Sequence, residues 1–192
     1  MSQDFTLTQQ DKKTLLYIAR TTLEKYIIEG ITPDFSSLPM SENLKQHLGA
    51  FVTLKINGKL RGCIGRFMPN QPLWEVVRDM TIAAATDDPR FSPVTPGEVS
   101  QINIEISVLT PLKPVNSPDD VIVGKHGVYC RYGFYSGTLL PQVAVEQGWN
   151  SYEFVEYCCK YKANLDSQCW KYADLFVYEA IVFDENEFQQ QA

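Results

Sequence analysis

The densest chemistry in the chain lies in Leu60-Arg61-Gly62-Cys63-Ile64-Gly65-Arg66. A thiol sits between two glycines, with Arg61 and Arg66 close by in sequence. Cationic neighbours stabilise a thiolate relative to a free cysteine, whose pKa is about 8.5. Glycine inside a strand pattern marks a bulge or a close backbone approach, so Gly62 and Gly65 could admit a ligand to backbone N–H groups. The chemistry expected is that of a thiolate or anion site, with Cys63 as nucleophile or ligand contact and Arg61 as its electrostatic partner. The competing reading is a small buried cysteine in a crowded strand.

Four further places carry reactive side chains. Asp87-Asp88-Pro89-Arg90-Phe91 follows a helical pattern, where acids suit a helix C-terminus badly. Either they bond locally in a turn or Arg90 holds them; turn chemistry is the simpler reading. Glu105 lies on the polar side of a strand and could orient an arginine or take a proton, although a solvated carboxylate needs no function. Gly124-Lys125-His126-Gly127 sets the acid–base histidine His126 in a turn. Cys158-Cys159 falls on an amphipathic helix, where adjacent residues do not face each other; core packing is expected there, not a vicinal disulfide or a metal site. Lys162 suits the dipole near that helix's end. Tyr129, Tyr132, Phe134 and Tyr135 fit either an aromatic surface or a sheet core.

The elements that must position these residues follow from periodicity. Thr8 with Asp11 three residues on reads as a helix start. Leu15, Ile18, Ala19, Leu23, Tyr26 and Ile27 recur at helical spacing, and Gly30 is a natural stop. Residues 31–50 read as loop. Phe51–Ile56 and Lys59–Phe67 form a predicted hairpin around Asn57-Gly58. A three-residue loop, Ile56-Asn57-Gly58, pairs Leu54 with Leu60, Thr53 with Arg61 and Phe51 with Cys63, and gathers Val52, Leu54, Leu60 and Ile64 on one face. A two-residue loop puts Val52, Leu54 and Ile56 on one face with Lys59, Arg61 and Cys63, so the longer loop is preferred. Pro72 fits the first position of a helix burying Leu73, Val76, Val77, Met80 and Ala83. Thr95-Pro96-Gly97-Glu98 has capping-box spacing. Ile102, Ile104, Ile106 and Val108 alternate as in a half-buried strand. Pro111, Pro114 and Pro118 punctuate a connector. Val121–Leu140 reads as short strands with turns, Pro141–Gln147 and Ser151–Ala163 as helices, and Leu175–Phe183 as one covered strand. No regular strand–helix alternation appears, so the fold class is α+β: a mixed or antiparallel sheet packed with helices.

Composition narrows the function. The 192 residues are 44% hydrophobic and 21% charged, an ordinary globular balance. The net charge is 17 − 23 = −6, which argues against nucleic acid as a partner. No run matches a membrane span, and Met1 to Lys13 lacks the apolar core of a signal peptide, so a cytoplasmic protein is expected. Five cysteines, an odd number, without paired spacing argue for free thiols, and with two distant histidines no metal-ligand set is read. No phosphate-binding loop, metalloprotease motif or nucleophile elbow occurs, and no cofactor is expected. There is no internal repeat, and low complexity is limited to Gln189–Gln191.

Leu60-Arg61-Gly62-Cys63-Ile64-Gly65 resembles the signature hexapeptide of the AMMECR-one domain family, known in many microbes as AmmeMemoRadiSam system protein A. Further matches run in the family's order: Asp88-x-Arg90-Phe91-x-Pro93 and Glu98, Glu105-x-Ser107-Val108-Leu109, Gly124-x-His126-Gly127, Leu139-Leu140-Pro141-Gln142-Val143-Ala144, then Trp149. They span about residues 10–183 and predict one domain over 1–192. Arg66 departs from the family's usual threonine. The family's Cys-x-Lys-Ala-Gly-Leu becomes Cys159-Lys160-Tyr161-Lys162-Ala163-Asn164-Leu165, with one extra residue and Asn for Gly, leaving open whether Cys158 or Cys159 matches. The resemblance implies two intertwined subdomains, one larger, with a cleft between them. It also implies a pathway shared with Memo-like and radical-SAM proteins, but no reaction. Two functions follow. One is a ligand-binding or thiol-dependent component acting on an unknown small molecule, with Cys63, Arg61, Glu105 and His126 as catalytic candidates and Gly62, Gly65 and Arg90 as ligand contacts. The other is a non-catalytic interaction module whose motif shapes a partner groove.

Overall fold

The structure, a computed structural model, describes residues 5–189; Gln190 and Gln191 of the glutamine tract lie outside them. Helix α1 (Gln9–Glu24) starts at the expected capping box, in which Thr8 Oγ1 accepts the Asp11 N–H and Asp11 accepts the Thr8 N–H. Its apolar stripe buries Leu15, Ile18, Ala19 and Leu23. The last turn widens into a π-helix, Lys25–Glu29, before Gly30 ends it at φ 72°. A short helix α2 (Glu42–Lys45) interrupts the stretch read as loop; Ser41 and Asn43 beside it bind the buried Asp11. Helix α3 (Leu73–Thr86) has Pro72 as its N-cap, one position earlier than predicted, and Asp87 at its C-cap.

Strands β1 (Ala50–Ile56), β2 (Lys59–Arg66), β3 (Ile102–Leu109) and β8 (Ala180–Asp184) form one sheet in the order β2-β1-β3-β8. The side chains of Val52, Leu54, Ile104 and Ile106 are fully buried with residues of α1 and α3. A fully buried aliphatic side chain is worth roughly 1.5–3 kcal/mol, so this alternation holds the sheet to the helices.

The hairpin corrects the predicted register. Asn57 and Gly58 both take positive φ, 51° and 76°, so the loop has two residues, as Asn-Gly favours. Ile56 pairs Lys59 and Lys55 pairs Leu60. A bulge then absorbs Arg61, and pairing resumes with Leu54–Gly62, Thr53–Cys63 and Val52–Ile64. One extra residue shifts everything beyond it to the opposite face. The bulge thus achieves the core sorting that the longer loop was chosen to give. Leu60 is left exposed instead of in the core.

The second sheet has the order β4-β7-β5-β6: β4 (Lys113–Val115), β7 (Asp174–Tyr178), β5 (Gly127–Tyr132) and β6 (Tyr135–Leu139). β4 lies within the predicted connector, and its Pro114 is tolerated because the strand is at an edge. Helices α4 (Pro141–Gln147) and α5 (Ser151–Tyr157) follow, and α5 runs on as a π-helix, Cys158–Lys162. Asn164, at φ 57°, takes the left-handed position after it. Leu175–Phe183 is not one strand: β7 and β8 belong to different sheets and break at Glu179. The apolar pattern on both alternations comes from two strands end to end.

The chain divides into two compact units. Unit 1 runs to Leu109 and resumes at Ile181; unit 2 is Thr110–Ala180. Each has its own core, the second built on Val128, Cys130, Phe154, Val155, Leu175 and Val177. The two ends of unit 2 are tied to each other: Thr110 N–H donates to the Glu179 carbonyl and Glu179 N–H to Thr110 Oγ1, both at 2.9 Å.

Candidate functional site: a clamped thiol on the edge of the first sheet

β2 is an edge strand, so Cys63 has backbone groups with no neighbouring strand to pair them. The turn after α3 supplies the partners. Cys63 N–H donates to Asp88 Oδ2 at 2.8 Å, and Arg90 Nη2 donates to the Cys63 carbonyl at 3.3 Å. Arg90 in turn grips Asp88 through Nε (2.9 Å), Nη2 (2.7 Å) and its own backbone N–H (3.1 Å). Asp88-x-Arg90 therefore acts as a two-residue substitute for a strand and protects the edge. Asp88 is buried; the Arg90 hydrogen bonds, then the Cys63 N–H, hold its carboxyl well below the usual carboxylate range. Both readings of the Asp87–Phe91 segment meet here, since the turn is local and Arg90 holds the acid.

Arg61, expected beside the thiol, is committed elsewhere. From the bulge its guanidinium donates to Glu98 Oε1 (2.7 Å) and Oε2 (3.1 Å), and to the carbonyls of Ser92 (3.0 Å) and Pro93 (3.3 Å). Glu98 is itself the far half of the capping box at Thr95. Arg61, and then the Thr95 N–H, bring the Glu98 carboxyl from 4.5 to about 2. Glu98, read from the sequence as a cap and as one of the family-resemblance positions, is the residue that claims Arg61. Arg66 is exposed and bonds Gln71.

The two glycines are accounted for by packing. A Cβ at Gly62 would lie 2.1 Å from the Ala84 carbonyl oxygen of α3, and one at Gly65 would lie 2.1 Å from the Phe51 ring. Gly62 lets the helix approach the sheet, and Gly65 lets an aromatic ring cover the strand. The space they leave is filled from within, by the helix and the ring.

The thiol itself stays half-buried on the sheet face away from α1 and α3. In cross-strand order, Cys63, Thr53 and Glu105 form one row over β2, β1 and β3. Thr53 Oγ1 donates to Cys63 Sγ at 3.3 Å, and Glu105 accepts from Lys55 Nζ at 2.7 Å. Phe51 and Ser107 form the next row with Gly65. The structure thus brings together Cys63, Asp88, Arg90, Thr53 and Glu105. Thr53 had no signal of its own; only the register puts it beside the thiol. His126 belongs to unit 2, where its ring accepts the Ile122 N–H at 3.1 Å and burial lowers its pKa.

Cysteine chemistry in unit 2 departs from expectation. Cys159 and Cys169 are joined in a disulfide, while Cys63, Cys130 and Cys158 are free thiols. Free thiols throughout were expected from an odd count without paired spacing, and an α-helix would turn the adjacent Cys158 and Cys159 apart. Here the helix widens: the Ala163 N–H reaches the Cys158 carbonyl, five residues back. That wider turn buries Cys158 and Cys159 together.

A helix-backed antiparallel sheet with a clamped thiol on its edge, and a second antiparallel sheet with its own core, define a two-unit α+β protein. The chain belongs to the AMMECR1 family, whose model matches residues 16–183. A protein of Methanosarcina mazei is 38% identical over 189 residues, covering 94% of each chain. Protein MK0488 of Methanopyrus kandleri is 41% identical over 192 residues, covering 94% of this chain and 91% of that one. The crystal structure of the uncharacterized protein PH0010 from Pyrococcus horikoshii aligns with a TM-score of 0.74 at 36% identity, over 94% of both chains. No helix among the described residues is long and apolar enough to cross a membrane.

Proposed function

We propose that this AMMECR1-domain protein is a ligand-binding or thiol-dependent component of a cytoplasmic system that includes Memo-like and radical-SAM proteins. The observation that carries the reading is the treatment of Cys63. A buried aspartate holds its backbone, while its sulfur stays accessible beside the Thr53 hydroxyl and in line with Glu105. The clamp protects the strand edge through the backbone, so the part that supports the reading is the half-open sulfur beside Thr53 and in line with Glu105. In this reading Cys63 contacts or attacks a small molecule, Glu105 positions it or takes a proton, and Arg90, whose side chain is 55% exposed, meets an anionic group. The Memo-like and radical-SAM partners rest on the family resemblance alone.

The test is labelling of the native protein with iodoacetamide across pH, read peptide by peptide. Cys63 is expected to react at once and Cys130 and Cys158 only on unfolding. Cys63→Ser is expected to abolish the system's output with its thermal midpoint unchanged. Protection of Cys63 to the same degree as the buried thiols would overturn the reading.

A second reading, a non-catalytic module whose motif shapes a partner groove, is favoured by the commitment of Arg61 and Arg90 to holding the turn. Co-purification with a Memo-like partner, undiminished by Cys63→Ser and with unchanged pathway output, would decide for it.

A further inference from the structure

Four cysteines share the core of unit 2, and three of their sulfurs converge, at a site independent of Cys63. Cys130 comes from β5, Cys158 and Cys159 from the end of α5, and Cys169 from a short 3-10 turn at Cys169–Lys171; all four are fully buried. The Sγ atoms of Cys130, Cys159 and Cys169 lie within 4.8 Å of one another. Cys158 Sγ is 3.6 Å from Cys130 Sγ.

Small apolar residues would fill a core as well as these, so the convergence asks for a chemical reason. Four thiolates at about 2.3 Å around one zinc ion stand about 3.8 Å apart in a tetrahedron. The Cys130–Cys158 separation already has that spacing, and the three-sulfur group lies within about 1 Å of it at its widest. The bonded pair, Cys159–Cys169, must move apart, and Cys158, which lies outside the three-sulfur group, must close on it.

We propose that reduction of the Cys159–Cys169 disulfide turns this cluster into a closed four-thiolate zinc site. The reductant is an external dithiol. One S–S bond breaks in the protein and one forms in the dithiol, which leaves as its disulfide. Two electrons and two protons end on Cys159 and Cys169 as thiols. Zinc then displaces one proton from each of the four thiols to solvent. With no open position, the ion has a structural role: it ties β5, the end of α5 and the 169–171 turn together in the reduced protein. A reducing compartment opens the disulfide, and zinc replaces it as the cross-link.

The test uses the full chain, reduced with a dithiol, freed of it under argon and mixed with zinc, then weighed by native mass spectrometry. One zinc per chain is expected in the reduced protein and none in the oxidised protein. Cadmium in place of zinc should give a thiolate charge-transfer absorption. Cys130→Ser and Cys158→Ala should each weaken zinc binding by at least about tenfold, and Cys63→Ser should leave it unchanged. Should either cluster variant fail to fold, the wild-type protein still decides. Under mild urea, zinc should slow alkylation of Cys130, Cys158, Cys159 and Cys169 together and leave the rate at Cys63 alone. Absence of zinc uptake by the reduced protein, equal uptake by the oxidised protein, or protection that omits Cys130 would each overturn the proposal.

Discussion

The two units hold their cysteines in opposite ways. In unit 1 a single thiol sits at a sheet edge, its backbone gripped by charged groups and its sulfur half-open to solvent. In unit 2 four sulfurs share a buried core, and among the described residues no charged side chain is seen to hydrogen-bond any of them. Polar clamping keeps a reactive atom accessible at an edge without exposing the strand to unwanted pairing. Apolar burial removes reactive atoms from solvent and brings them against one another, with the Gly137 carbonyl as a further partner of Cys130. The same residue type is therefore set up for contact with other molecules in one unit and for cross-linking in the other.

The contrast can be broken at its strongest point first. Gly62→Val places side-chain atoms against the Ala84 carbonyl, a backbone group that cannot step aside. A loss of about 3 kcal/mol or more in urea unfolding is expected, carried by unit 1. Reducing the Cys159–Cys169 bond, with chelator present, frees a loop with a sequence separation of 10. Loop entropy predicts a loss of about 2.7 kcal/mol, and calorimetry should find it in unit 2. Asp88→Ala strips the Cys63 N–H and Arg90 of their acceptor; about 2 kcal/mol is expected, together with faster hydrogen exchange at Cys63.

Acid sharpens the comparison further. Asp88 and Glu98 have folded pKa values below their unfolded ones, so the stability they contribute is complete above the unfolded values. For Glu98 it is lost as pH falls from 4.5 towards about 2. Unit 1 is therefore expected to loosen in that window, read by exchange at Cys63 and at the Thr95 N–H, while the disulfide in unit 2 is indifferent to it. The smallest effect is reserved for Cys63→Ser, which keeps the size of the side chain at a half-open position. It should change the thermal midpoint by no more than the equivalent of about 0.5 kcal/mol. A larger loss would move Cys63 from the accessible class to the packing class.

Much of unit 1 was legible because its signals are local. Thr8 with Asp11, Thr95 with Glu98 and the alternating isoleucines of β3 each specify their element within a few residues. The hairpin was legible in its turn and its extent but not in its register. A bulge is decided by what the two faces must meet, here α3 on one side and solvent on the other. The break at Glu179 was hidden for a related reason: two strands in separate sheets, each with buried residues, write one continuous apolar run.

Residue types and short spacings by themselves determined the fold class, the caps, the stretch in which the clamped thiol lies and the turn that follows α3. Only the tertiary structure decided that Arg61 goes to Glu98, that Asp88 and Arg90 close the edge at Cys63, and that Thr53 and Glu105 share its row. Only it brought Cys130 and Cys169 to the Cys158-Cys159 pair. The physical reason is distance along the chain. A cap or a turn is settled among neighbours by backbone geometry, whereas which charge finds which partner, and which sulfurs meet, depends on how helices and sheets pack across tens of residues.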